Sequence, residues 1–186
     1  MMKTIGFCTH FTQTDEWAFD YALSLARARN WKLTICHWLH SPYSLRRDMV
    51  YTDLKRTSQV QPVTPALLTT LELELRECYE SQLGDFTNVA FKLCEGHYQV
   101  ELTRCLRQNL LDLVVMGYQQ TPVLEDVSVE QPLTTFAQHL PYPMLLVGPQ
   151  RPDQFWLNAL AQNLLSDLNL PEGSWQILDS AAVHTG

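Results

Sequence analysis

The chain has 186 residues, 20 acidic against 13 basic, and a net charge of −7, with 46% hydrophobic and 18% charged side chains. That is one globular domain with room for an appendage, and the acidic balance argues against a nucleic-acid partner and against a polybasic membrane anchor. No run approaches a membrane span or a secretory signal, and five cysteines without a CxxC pair indicate neither a disulfide framework nor a zinc finger, so a cytoplasmic setting is expected.

Residues 3–9 (KTIGFCT) are a short apolar run with β-branched and aromatic content, which predicts a strand. A polar stretch follows. Residues 15–29 then carry Trp17, Ala18, Tyr21, Ala22, Leu25 and Ala26 at helical spacing. Thr14 or Asp15 suits the N-cap, acids fill the first turn, and Arg27 and Arg29 fill the last, as the helix dipole favours. Residues 32–39 (KLTICHWL) predict a second strand. Strand, helix and strand in about 40 residues make a βαβ unit, hence a parallel sheet with a right-handed crossover.

Residues 40–65 are a long connection with Pro42, Pro62, Pro65 and the basic side chains Arg46, Arg47, Lys55 and Arg56. Such length without an obvious element is unusual in a compact domain, and partial order at best is expected. The basic cluster reads either as a cover for an anionic ligand or as a surface segment. Residues 65–83 predict a second helix, with Leu68, Leu71, Leu75, Tyr79 and Leu83 along one face. Residues 88–94 (NVAFKLC) predict a third strand and residues 100–110 a third helix. Residues 112–117 (DLVVMG) predict a fourth strand, apolar throughout as a strand covered on both faces is. A polar, acidic loop over 118–131 leads to a helix at 132–140, opened by Pro132, and to a fifth strand at 143–147 (PMLLV).

The chain so divides into an α/β domain over 1–150 and a C-terminal extension over 151–186. Across 153–168, Trp156, Leu157, Leu160, Leu164, Leu165 and Leu168 predict one amphipathic helix. Residues 174–178 (SWQIL) are a candidate added strand. The apolar stripe has to be buried, either on its own domain or in a dimer contact, and both readings stand. The fifth strand is an edge strand, and an open edge has to be paired or covered.

Taken together, three segments resemble the universal stress protein family over residues 3–149. They are the strand–helix–strand of residues 3–39, with its helix DEWAFDYALSLARARN; the third strand running into Glu95-Gly96; and DLVVMG followed at the family's spacing by PYPMLLV. The resemblance implies a doubly wound five-stranded parallel sheet in the order 3-2-1-4-5, with helices on both faces, and a homodimer paired across the fifth strand. A ligand in such a sheet lies at the switch point between strands one and four.

Nucleotide-binding members carry a Gly-x2-Gly-x9-Gly-Ser/Thr loop after strand four, whose bare amides meet the phosphates. Gly117 matches the first glycine. Gln120 stands at the second, Glu130 and Gln131 stand at the Gly-Ser pair, and Pro132 follows without an N–H. Glu125, Asp126 and Glu130 add negative charge, each repelling a phosphate by about 3 kcal/mol at about 5 Å and an effective dielectric near 20. His10 replaces the aspartate that members often place after strand one. The resemblance thus implies the UspA-like branch that lacks ATP binding, with no cofactor. Gly117, Met116 and His10 are the positions that line the family pocket if it is used.

Six soft or nitrogen-bearing side chains end the first three strands: Cys8, His10, Cys36, His40, Cys94 and His97. Neighbouring strands lie about 4.8 Å apart, so a metal site or a redox thiol pair is one reading. The other treats the cysteines as small core hydrophobes, which free cysteines usually are; no metal is assigned. His37, inside strand two, reads as a satisfied core histidine. Glu72, Glu74, Glu77 and Glu80 read as a solvated helix face. No GxSxG, HExxH or GxxxxGK[ST] motif occurs.

Three functions follow. The first is a non-enzymatic, homodimeric stress-response protein that binds a protein partner or small ligand. The second is a nucleotide-binding regulator of ATP or AMP with a degenerate phosphate loop. The third is an adenylyl-transfer catalyst on a related scaffold, the weakest because no acid/base pair is visible. Fold alone does not choose among them.

Overall fold

The computed structural model describes residues 2–9, 12–39, 49–51, 60–62, 64–95, 98–108, 110–118 and 133–178. In chain order the elements are β1 (Thr4–Cys8), α1 (Gln13–Arg29), β2 (Lys32–Leu39), β3 (Met49–Tyr51), β4 (Val60–Pro62), α2 (Pro65–Leu83), β5 (Val89–Glu95), α3 (Tyr98–Arg107), β6 (Leu113–Gly117), α4 (Leu133–His139), β7 (Met144–Val147), β8 (Phe155–Leu157), α5 (Ala159–Gln162), α6 (Leu165–Leu168) and β9 (Trp175–Ile177). The main sheet runs β5-β2-β1-β6-β7-β8-β9. Its first five strands are the expected five, all parallel, in the expected order 3-2-1-4-5. No helix among the described residues is long and apolar enough to cross a membrane.

Alternation along the strands sends side chains to two cores. Ile5, Phe7, Leu33, Ile35, Leu113, Val115, Leu145 and Val147 face α1 and α2. Cys8, Cys36, Cys94, Val114, Met116, Met144 and Leu146 face α3 and α4. Phe7, Phe19 and Tyr79 cluster in the first core, with ring centroids 4.8–5.6 Å apart. α2 spans the expected 65–83: Thr64 caps it, accepting from the Leu67 amide, and Pro65 follows at the first turn.

Two expectations need correction. The long connection contains an antiparallel pair, β3 with β4, where no element was expected. The extension is not one helix over 153–168. Phe155–Leu157 pairs antiparallel with β7, matching Leu145 to Leu157, Leu146 to Trp156 and Val147 to Phe155. Helix begins only at Ala159, capped by Asn158; it breaks at Asn163 and Leu164, resumes as α6, and stops at Asn169, which is left-handed with φ 52°. The unpaired amides and carbonyls of the β7 edge take up residues 155–157 in preference to a helix that lacks them. β9 then joins β8 in parallel, so the sheet has seven strands rather than five.

Asn158 locks this arrangement. Its side-chain oxygen accepts from the Met144 and Ala161 amides at 3.1 and 2.9 Å. Its Nδ2 donates to the Ala137 and Tyr142 carbonyls at 3.0 and 2.7 Å. The residue is buried. Replacing it with alanine leaves buried backbone groups without partners, each costing about 1–3 kcal/mol. Asn158→Ala is expected to lose about 3 kcal/mol of unfolding free energy in urea; a loss below about 1 kcal/mol refutes the lock.

Candidate functional site

The switch point lies where the C-terminal ends of β1 and β6 meet the start of α1. The helix begins two residues earlier than a cap at Thr14 predicts. Thr12 is the N-cap, and Thr12 and Asp15 form a capping box: the Thr12 amide donates to Asp15 Oδ2 at 3.2 Å, and the Asp15 amide donates to Thr12 Oγ1 at 3.4 Å. The Thr12 hydroxyl also donates to Asp15 Oδ2 at 2.9 Å.

The other carboxylate oxygen reaches across to the sheet. Gly117 N donates to Asp15 Oδ1 at 3.2 Å, a link spanning 102 residues. Asp15 is 0% exposed. Only a glycine lets the two elements come this close. A Cβ on Gly117 would lie 2.6 Å from the Asp15 amide nitrogen and 2.6 Å from the Thr14 carbonyl carbon, both backbone atoms. The first position of the family's phosphate pattern therefore has its amide engaged by a carboxylate of the chain itself.

The turn leaving β1 is pinned as well. The Thr9 amide donates to the Cys36 carbonyl at 3.0 Å. The Thr9 carbonyl accepts from His37 Nδ1 at 2.9 Å, which puts a proton on that nitrogen. The Thr9 hydroxyl and the Tyr79 phenol share a 2.5 Å hydrogen bond. Burial pushes the Tyr79 phenol up, against a smaller downward pull from Thr9, so it stays protonated. His37 is buried and bonded as a core histidine is.

Of the three residues assigned to the family pocket, Gly117 lies at the crevice. Met116 is buried among the side chains facing α3 and α4. His10 lies outside the described residues, as do Gln120, Glu125, Asp126, Glu130, Gln131 and Pro132. Among the six soft side chains, Cys8 and Cys36 are register partners and Cys94 shares their core, whereas His10, His40 and His97 lie outside the described residues. Among the described residues no three His, Cys, Asp or Glu side chains are grouped to hold a metal ion. Burial, with the hydrogen bond to Cys36 next, pushes the Cys8 thiol well up. Cys8 is thus an inert core thiol at neutral pH.

Two participants escape a linear reading. Asp15 looked like a helix cap; the Thr-x-x-Asp spacing signals the box but not the second bond to Gly117. Tyr79 looked like one more apolar position on α2.

A match to the Universal stress protein family covers residues 1–148. The chain belongs to the universal stress protein family. The match ends just after β7, so β8, β9 and the two short helices lie beyond the family portion. No curated protein matches the chain. Among solved structures, a universal stress protein in complex with cAMP is similar at a TM-score of 0.53 and 18% identity, covering 78% of this chain and 97% of that one. That likeness establishes the fold. The universal stress protein UspA from Lactobacillus plantarum has a TM-score of 0.46 and 16% identity, covering 78% and 97%. A universal stress protein family member from Burkholderia pseudomallei has a TM-score of 0.45 and 17% identity, covering 79% and 96%.

Proposed function

We propose that this universal stress protein is a non-enzymatic, cytoplasmic stress-response protein that acts by binding a protein partner or a small ligand, and that its crevice does not grip ATP. One observation carries the reading: the Asp15 carboxylate accepts the Gly117 amide from within the fold. A phosphate at that amide loses its donor and meets a buried like charge, a repulsion of about 3 kcal/mol at about 5 Å and an effective dielectric near 20. The substitutions at Gln120, Glu130 and Gln131 act in the same direction. Asp15 is the anion already seated at the start of α1, where the helix dipole welcomes one.

The second reading, a nucleotide-binding regulator, is favoured by one fold neighbour, a universal stress protein in complex with cAMP. Native mass spectrometry of the purified full chain, followed by calorimetric titration with ATP, AMP and cAMP, separates the two. The expected result is a chain free of nucleotide that releases no binding heat with any of the three. Stoichiometric nucleotide in the spectrum, or micromolar binding in the titration, overturns the first reading in favour of the second. The same spectrum reports the number of copies. A homodimer of this chain has to use a surface other than the β7 edge, because β8 occupies that edge.

A further inference from the structure

The sheet face beneath α3 holds a group of side chains that the crevice does not use. Cys8 on β1 is the register partner of Cys36 on β2, and Cys36 is the register partner of Lys92 on β5. Cys94 follows Lys92 by two residues, so all four side chains leave the same face. α3 sets a fourth cysteine against them: Lys92 Nζ donates to Cys105 Sγ at 3.3 Å. The four cysteines are buried free thiols, with Cys105 2% exposed. Lys92 is half-buried on β5, the outer strand of the sheet. Its long side chain therefore runs between the solvent margin and the sulfur.

We propose that Lys92 and Cys105 form a peroxide-responsive pair that closes into a covalent sulfur–nitrogen link between β5 and α3. This goes beyond the crevice reading and does not depend on it. In the first step, Cys105 Sγ attacks one oxygen of hydrogen peroxide. The S–O bond forms as the O–O bond breaks, sulfur gives up two electrons, and water leaves behind a sulfenic acid. In the second step, Lys92 Nζ, having released its extra proton to solvent, attacks the sulfur. The S–N bond forms, the S–O bond breaks, and the hydroxyl leaves as water with one amine proton. One thiol, one amine and one peroxide become one sulfenamide and two waters.

The surroundings favour this partner over the neighbouring thiol. Burial favours the neutral form of Lys92 and the contact with Cys105 favours the ammonium; in the reduced protein the upward pull prevails. Oxidation removes the Cys105 share of that pull, the largest of the upward ones, and so shifts the balance toward the neutral, nucleophilic amine, with Cys94 and Cys36 still acting upward. Cys94 is the rival nucleophile. Burial, with Cys36 next, pushes its thiol up to about 12. Its thiolate is therefore scarce at neutral pH, and it is slow to attack a sulfenic acid.

The test treats the folded full chain with hydrogen peroxide, blocks the remaining thiols and digests with trypsin. The expected product lacks cleavage after Lys92, and the peptide of residues 77–104 carries the peptide of residues 105–107. Reductant added before digestion is expected to separate them. Lys92→Arg keeps the charge but is expected to lose the link and leave Cys105 reactive toward dimedone. Cys94→Ala is expected to retain the link. A Cys94–Cys105 disulfide, recognised by normal cleavage after Lys92, overturns the proposal. So does a Cys105 that remains a thiol while circular dichroism reports a folded chain exposed to peroxide. The wild-type digest decides by itself where a variant folds poorly.

Discussion

Removing residues 151–186 is expected to leave a chain that aggregates rather than a smaller folded domain. The family portion ends at residue 148, which invites the view that the rest is dispensable. The packing argues otherwise. Phe155, Leu157, Ala161 and Leu168 are buried in the same core as Phe7, Ala22 and Val147. Burying one Phe or Leu side chain contributes about 1.5–3 kcal/mol, so the three large ones contribute about 5–9 kcal/mol before any hydrogen bond is counted. That is comparable to the whole stability of a domain, about 5–15 kcal/mol. The cut also strips β7 of β8 and opens its backbone to other chains. Polar ties go with it. Tyr21 OH donates to the Leu168 carbonyl at 2.7 Å, and Arg29 donates to the carbonyls of Asp167 and Ser166, each at 2.9 Å. Light scattering coupled to gel filtration is the measurement. A soluble, monodisperse truncated monomer with cooperative urea unfolding would show the extension to be peripheral. A discrete dimer would mean that a second copy takes the place of β8.

Gly117→Ala is expected to cost about 3 kcal/mol or more, a large effect for one methyl group. Its Cβ would meet backbone of Thr14 and Asp15 at 2.6 Å, and backbone cannot swing aside. The start of α1 has to lift from β6, which breaks the Asp15–Gly117 bond and leaves a buried carboxylate short of a donor. Gly6→Ala is the control. There the Cβ would meet the Leu111 side chain at 2.6 Å, and a leucine can change rotamer, so about 1 kcal/mol is expected. Urea unfolding of both variants checks the ranking. Hydrogen exchange checks the place, with protection lost at the amides of α1's first turn in Gly117→Ala alone. Equal costs for the two variants would refute the close approach as the reason for glycine at 117.

The core of the fold was legible because its signals are local and agree with one another. The run LVVMG is apolar at every position, and such a strand has to be covered on both faces. The helix of residues 65–83 declares its start with Thr64 and Pro65 and its buried face with Leu71, Leu75, Tyr79 and Leu83. The extension misled because Trp156, Leu157, Leu160 and Leu164 fit a helical stripe, while strand alternation in Phe155–Leu157 spans only three residues. What decides between them is the vacant edge of β7, a partner about ten residues back that periodicity cannot register. Asn158 before ALAQ was the available clue, since it is a good N-cap in the wrong place for a helix starting at 153. At the candidate site, the motif singled out Gly117 as a position. The bond that engages its amide was not legible, because Asp15 lies 102 positions earlier and nothing local distinguishes a capping carboxylate from one that also reaches another strand. Cys105 escaped notice for the same reason: its pairing with Lys92 is made by the placement of α3 over β5.

The polar ties that join Lys3 and the end of α1 to α6 and Asn169 have a consequence for how the molecule comes into being. Lys3 and Arg29, made early, wait for Asp167, Ser166 and Asn169, made more than a hundred residues later. As the polypeptide leaves the ribosome, the strands through β7 emerge first and stand with one margin bare. Nascent chains halted before β8 would offer that margin to every neighbour on a crowded polysome. Emergence of residues 155–168 from the ribosome, rather than their synthesis, is therefore the step at which that margin is covered.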